Sequence, residues 1–198
     1  MRRTLTVLAA AAAVCGLLAV AIPQASAQVE PGGWTAYTPS YKVQQFGCGK
    51  VTGMTFSLTC SSGHGQQRAE FRYETYSSGS RQFEGDVKII SFGGDRVNLK
   101  QTFKTTGPFF MLAIDRGGRL YSVHDGKTIA TGVIVGTTVT VNTVHVVGQQ
   151  LRVYINGSLR YSIKSPGGSF YDKIGAYRTG SGHGPITVTW SNVQFWRK

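Results

Sequence analysis

Val153-Tyr154-Ile155-Asn156-Gly157-Ser158-Leu159-Arg160-Tyr161 decides the fold class. Two short runs rich in β-branched and aromatic residues flank Asn-Gly, the dipeptide that most readily adopts the left-handed backbone of a tight hairpin turn. The same grammar extends along the chain. Met54 to Leu58, Gly85 to Ile89, Val139 to Val141, Leu151 to Ile155 and Ile186 to Trp190 alternate apolar and polar residues. Gly93-Gly94-Asp95, Gly117-Gly118, Asp125-Gly126 and Gly167-Gly168 punctuate them as turns. Helix signals are poor throughout. Short strands at this spacing predict an all-β, antiparallel β-sandwich or jelly roll in a single domain, residues 28–198.

Residues 1–27 read as a secretory signal peptide outside that domain. Arg2 and Arg3 precede a long apolar run from Leu5 to Ile22, and Ala25-Ser26-Ala27 is a small-residue cleavage site. An uncleaved anchor is the alternative. The prediction is an exported, extracellular protein with no membrane association once the leader is removed. Cys48 and Cys60 then remain, and in an oxidising compartment an even pair predicts one disulfide. Residues 28–40 read as a loosely held arm.

Arg2 and Arg3 account for two of the 21 lysines and arginines; without them 19 basic residues face 9 acidic ones, a net charge of +10. Such a field attracts polyanions. Charge alone does not choose among acidic polysaccharide, nucleic acid and cell-wall polymer, and a basic surface can also serve only solubility.

Two stretches focus the charge. In Arg68-Ala69-Glu70-Phe71-Arg72, strand alternation puts Arg68, Glu70 and Arg72 on one face. In Tyr171-Asp172-Lys173-Ile174-Gly175-Ala176-Tyr177, it puts Tyr171, Lys173 and Tyr177 on one face and Ile174 and Ala176 on the other. Both suggest a binding face for an acidic polymer. A solvated ion-pair ladder is the plain alternative for the first stretch, and core or edge packing for the second. Tyr73, Tyr76 and Phe83 could line a sugar groove, although sandwich aromatics usually pack inward. In the closing strand, simple alternation puts Trp190, Asn192, Gln194 and Trp196 together, opposite Val193 and Phe195.

Arg-x-Glu-x-Arg, Gln101-Thr102-Phe103 and Tyr-x-Lys-x-Gly-x-Tyr, in that order, resemble the motifs of alginate-lyase-type polysaccharide lyases of family 7 and related jelly-roll lyases of uronate polymers. The resemblance runs from about residue 66 to the C-terminus. It implies a concave sheet that holds a uronic-acid polymer and cleaves it by β-elimination. It assigns carboxylate binding to Arg72 and Gln101 and proton transfer to Tyr177. Arg68, Glu70, Tyr171 and Lys173 on the motif strands, and His64 four residues before Arg68, are the further substrate-binding candidates. Glu70 would orient the two arginines by ion pairing. Cations near Tyr177 would favour its phenolate. No cofactor is expected; the partner is an acidic polysaccharide rather than a specific nucleic acid, and the chain is expected to be a monomer.

One position departs from the pattern: Phe103 stands where a histidine is usual. Three readings stay open. Tyr177 serves as both base and acid; another histidine (His64, His124 or His183) enters the site; or the scaffold has lost catalysis and binds an acidic glycan or cell-wall polymer. His145, in an apolar run, reads as structural or as a strand-surface residue. Other chemistries fit poorly. The His and Cys spacing suits no metal, Gly-x-Ser-x-Gly and the P-loop are missing, and paired carboxylates are hard to assemble. Nothing in the sequence supports calcium at Asp95, Asp115 or Asp125.

Overall fold

The computed structural model describes residues 30–61 and 65–198. The stretch 1–27 read as a signal peptide and His64 therefore lie outside the described residues. The elements in chain order are β1 (Thr35–Tyr37), β2 (Tyr41–Phe46), β3 (Gly49–Thr52), β4 (Thr55–Leu58), β5 (Gln67–Tyr76), β6 (Ser80–Phe92), β7 (Arg96–Lys104), β8 (Gly107–Asp115), β9 (Leu120–Ser122), β10 (Thr128–Ala130), β11 (Thr138–Val146), β12 (Gln150–Ile155), β13 (Ser158–Lys164), β14 (Phe170–Arg178) and β15 (Ile186–Arg197). No helix occurs among the described residues.

The strands form two antiparallel sheets packed face to face, as the alternation predicts. One runs β10-β9-β8-β7-β14-β5-β2; the other runs β13-β12-β11-β6-β15-β4-β3, with β1 added on β15. The Asn156-Gly157 turn joins β12 to β13 with φ values of 50° and 77°, the left-handed pair that such a hairpin requires.

One face of each sheet supplies the core. Ala69, Phe71, Tyr73, Leu112, Ile174 and Ala176 from the first sheet meet Phe56, Phe83, Val87, Val153, Trp190 and Phe195 from the second. Tyr73, Tyr76 and Phe83 are all buried, which removes them from the groove. The apolar residues of the two motif strands thus face inward together with Asp172, and Arg68, Glu70, Arg72, Tyr171, Lys173 and Tyr177 share the opposite face of the first sheet.

The closing strand departs from simple alternation. Asn192 has φ 51°, and the register against β6 slips between Ser191 and Gln194. This bulge puts Trp190 and Phe195 on the same inward face, where both pack edge-on against Phe83 at 5.7 and 5.2 Å. An extra residue in one strand resets the pleat.

From Glu30 onward the arm is also held, contrary to expectation. Glu30 takes a two-pronged bond from Arg152 at 2.5 and 2.6 Å and another from the Tyr154 hydroxyl at 2.6 Å. Thr35–Tyr37 then pairs with the end of β15. Cys48 and Cys60 form the predicted disulfide, tying the β2–β3 turn to the segment after β4.

Candidate active site

The outer face of the first sheet gathers the motif residues on three adjacent strands, β5, β14 and β7. Arg68 is paired with Tyr177, Glu70 with Gly175 and Arg72 with Lys173. On the other side of β14, Lys173 is paired with Gln101 and Tyr171 with Phe103. Directly opposed residues of neighbouring strands share a face, so sequence segments about a hundred residues apart meet in one patch.

Glu70 is the hub of this patch, and it is only 1% exposed. Its carboxylate lies 3.1 Å from Arg68 Nε and 3.1 Å from Lys173 Nζ. The Gln101 side-chain amide donates to its other oxygen. Glu70 therefore does not orient both arginines, as the sequence suggested: it pairs with Arg68 on its own strand and with Lys173 on the neighbouring strand β14. Gly175 sits beside it with φ 136°, and a Cβ there would lie 2.3 Å from the Ala69 carbonyl oxygen. Only glycine fits this position of the third motif.

Arg72 is treated differently. It has no carboxylate partner among the described residues, and its Nε is buried without a hydrogen bond. Its guanidinium lies over the Tyr171 ring, 4.1 Å from the centroid. Tyr177 closes the other end of the patch under Arg68, whose Cζ is 5.3 Å from its ring.

Burial dominates the electrostatics here. It pushes the Glu70 carboxyl up and the Lys173 ammonium down, while their mutual pairing opposes both shifts. Burial also raises the Tyr177 phenol, and Arg68 offsets only part of that rise. The expectation that neighbouring cations would favour the phenolate is thus overturned. Desolvation of a largely buried phenol outweighs one arginine partly open to water, and Tyr177 rests as a neutral phenol.

Sequence reasoning missed three contributors. Strand β2 adds Lys42, Gln44 and Phe46 to the same face, opposite Arg72, Glu70 and Arg68. Asn98 on β7 donates to the Tyr177 main-chain carbonyl at 3.3 Å, and its side-chain oxygen is buried without a partner. Behind the patch, between the sheets, fully buried Lys100 bonds Asp172 at 2.5 Å. Asp172 also accepts from Thr102 at 2.7 Å and Tyr76 at 3.5 Å. Tyr76 meets His145 Nδ1 at 2.8 Å, and His145 Nε2 meets Ser165 at 2.7 Å. Asp172 lies between Tyr171 and Lys173 in sequence, so this network pins the site strand from below.

The histidine candidates separate. His145 is buried in that network. His183 is exposed on the β14–β15 loop, held through its backbone by Asp95 at 2.7 Å; His124 is exposed after β9. No group of three metal-donor side chains occurs among the described residues. The carboxylates of Asp95, Asp115 and Asp125 are each engaged by backbone amides.

The fold is that of the jelly-roll alginate lyases, with the motif strands on the outer face of one sheet. Solved structures that resemble it include an alginate lyase of polysaccharide lyase family 7, with TM-score 0.60 and 21% identity over 74% of this chain and 79% of that one. An alginate lyase from Corynebacterium sp. gives TM-score 0.62 at 18% identity, covering 76% and 81%. A family 7 alginate lyase in complex with a substrate oligosaccharide gives TM-score 0.59 at 15% identity, covering 80% and 92%. No family model matches the sequence, and no curated protein matches it.

Proposed function

We propose that this protein is a secreted polysaccharide lyase that cleaves a uronate-containing polymer by β-elimination. The carrying observation is the disposition of Arg72 and Tyr177 on one cationic face: Arg72 is free of any carboxylate among the described residues, and Tyr177 is a neutral phenol beside Arg68. The resemblance to alginate lyases supports the reading.

The chemistry assigned to each group follows from its atoms. Arg72 offers a planar fork to the sugar carboxylate. Gln101 spends one amide hydrogen on Glu70 and keeps a second for the substrate. Neutralising that carboxylate acidifies the proton on C5. The minor phenolate form of Tyr177 removes it, the C4–O4 bond breaks, a C4–C5 double bond forms, and O4 leaves with the proton that Tyr177 now carries. Arg68, Lys173 and Glu70 keep the patch ordered, and Tyr171 borders it. The protein acts as a monomer without a cofactor.

Phe103 favours a second reading, a non-catalytic acidic-glycan binder on the same scaffold. A phenyl ring can neither take the C5 proton nor donate to a carboxylate. The two readings part in an ultraviolet assay for the unsaturated uronate: a lyase generates absorbance that Tyr177→Phe abolishes, and a binder retains polymer with salt-sensitive affinity and generates none.

A further inference from the structure

Four side chains form a continuous stack across β5, β14 and β7. The Arg72 guanidinium lies 4.1 Å from the Tyr171 ring centroid. On the next strand, the Phe103 ring is stacked with Tyr171, 5.5 Å between centroids and 18° between planes. Lys173 Nζ lies 5.3 Å from the Phe103 centroid. Tyr171 and Phe103 are direct register partners, as are Arg72 and Lys173.

The stack leaves Arg72 oriented by an aromatic ring rather than by a carboxylate. Glu70 is saturated by Arg68, Lys173 and Gln101, so it does not fix Arg72. A long arginine side chain loses considerable rotamer freedom when it binds. Lying over a phenol surrenders that freedom beforehand, and it spends none of the guanidinium's hydrogen-bond donors. The plane of the phenol matters for this, and Phe103 is the side chain stacked against it. The phenyl ring also presents its electron-rich face to Lys173, whereas a protonated imidazole would add a third positive charge between Lys173 and Arg72.

We propose that Phe103 is a positioning residue: it fixes the plane of Tyr171, which in turn fixes the Arg72 fork for a uronate carboxylate. The proposal rests on the reading of Arg72 as the carboxylate anchor. In that role Phe103 is a working part of the binding face rather than a scar of a lost histidine.

The test uses Phe103→Leu, which keeps apolar volume and removes the flat face, and Phe103→Tyr, which keeps the face. Each is made with Arg72 and with Arg72→Lys. The first readout needs no ligand: the Arg72 Nε–Hε resonance is shifted by the ring current of Tyr171. It should be alike in the wild type and Phe103→Tyr, and move toward that of a solvent-exposed arginine in Phe103→Leu. The second readout is affinity for alginate oligosaccharides. Phe103→Leu should weaken it roughly fivefold, Phe103→Tyr should restore it, and Phe103→Leu should cost nothing further in the Arg72→Lys background. An unmoved Arg72 resonance, or equal losses in both backgrounds, would overturn the proposal. A wild-type protein that binds no oligosaccharide would instead remove the glycan reading, and the resonance would still decide whether Phe103 positions Arg72.

Discussion

Gln101 and Glu70 are joined by an amide–carboxylate hydrogen bond that spans the intervening strand β14. That bond links β5 to β7 over β14, and the other carboxylate oxygen of Glu70 takes the cations. Arg68 and Lys173 are paired with Glu70; Arg72 is not.

Glu70→Gln tests that hub. The substitution keeps the shape but leaves the nearly buried Lys173 ammonium without a counter-charge. Breaking one partner of a buried ion pair costs about 3 kcal/mol or more. Urea unfolding should show a loss of that order together with weakened glycan binding. A loss within the range of an exposed pair, under ~1 kcal/mol, would mean that the cluster is solvated in solution.

His145 makes acid stability a second test. Burial lowers its pKa from 6.5 to about 4; Asp172 opposes the shift, and Lys100 and Arg81 add to it. The unfolded chain therefore binds a proton that the folded chain refuses between those two values. Its stability contribution is complete above the unfolded pKa, falls as pH drops from about 6.5, and is gone near pH 4. The magnitude is on the order of 3 kcal/mol. His145→Gln should flatten the stability–pH curve through this window relative to wild type. Parallel curves for the two proteins would show that His145 does not resist protonation.

The disulfide gives a third. Cys48 and Cys60 are 12 residues apart, a loop whose closure removes about 3 kcal/mol of unfolded-state freedom. The double variant Cys48→Ala/Cys60→Ala should lower unfolding free energy by about that amount. Because Cys48 lies just after β2, the loss should be accompanied by faster amide exchange in Tyr41–Phe46. Unchanged exchange in β2 would separate the disulfide from the edge of the site.

The pH dependence of turnover bears on Tyr177. Its phenol pKa is raised by burial, so the phenolate is scarce at neutral pH and gains population as pH rises. If Tyr177 is also the base, kcat/KM should climb by up to about tenfold per pH unit from neutral into the alkaline range. A plateau at neutral pH followed by an alkaline decline would mark Tyr177 as acid only and call for a separate base.

Much of this was legible in sequence because strands repeat with period two. The Asn156-Gly157 hairpin and the shared face of Arg68, Glu70 and Arg72 follow from local pattern, and the Cys48–Cys60 pair from an even cysteine count in a chain read as exported. The gaps have specific physical causes. The bulge at Asn192 inserts a residue, so simple alternation put Trp190 and Phe195 on opposite faces. Lys100 looks like a surface lysine until the second sheet buries it against Asp172. Lys42, Gln44 and Phe46 join the site only through pairing with β5, which no local pattern announces. Glu30 holds the arm through a partner 122 residues away. The Tyr177 shift was misjudged because charge neighbours can be guessed from sequence, and the extent of desolvation cannot.

The most direct measurement follows ultraviolet absorbance of the 4,5-unsaturated uronate when purified residues 28–198 meet alginate, glucuronan and other acidic glycans. Absorbance should rise with at least one polymer, and that rise should be lost in Tyr177→Phe while the variant still binds. Salt-sensitive binding with no rise on any polymer, or a rise that survives Tyr177→Phe, would contradict the proposed mechanism.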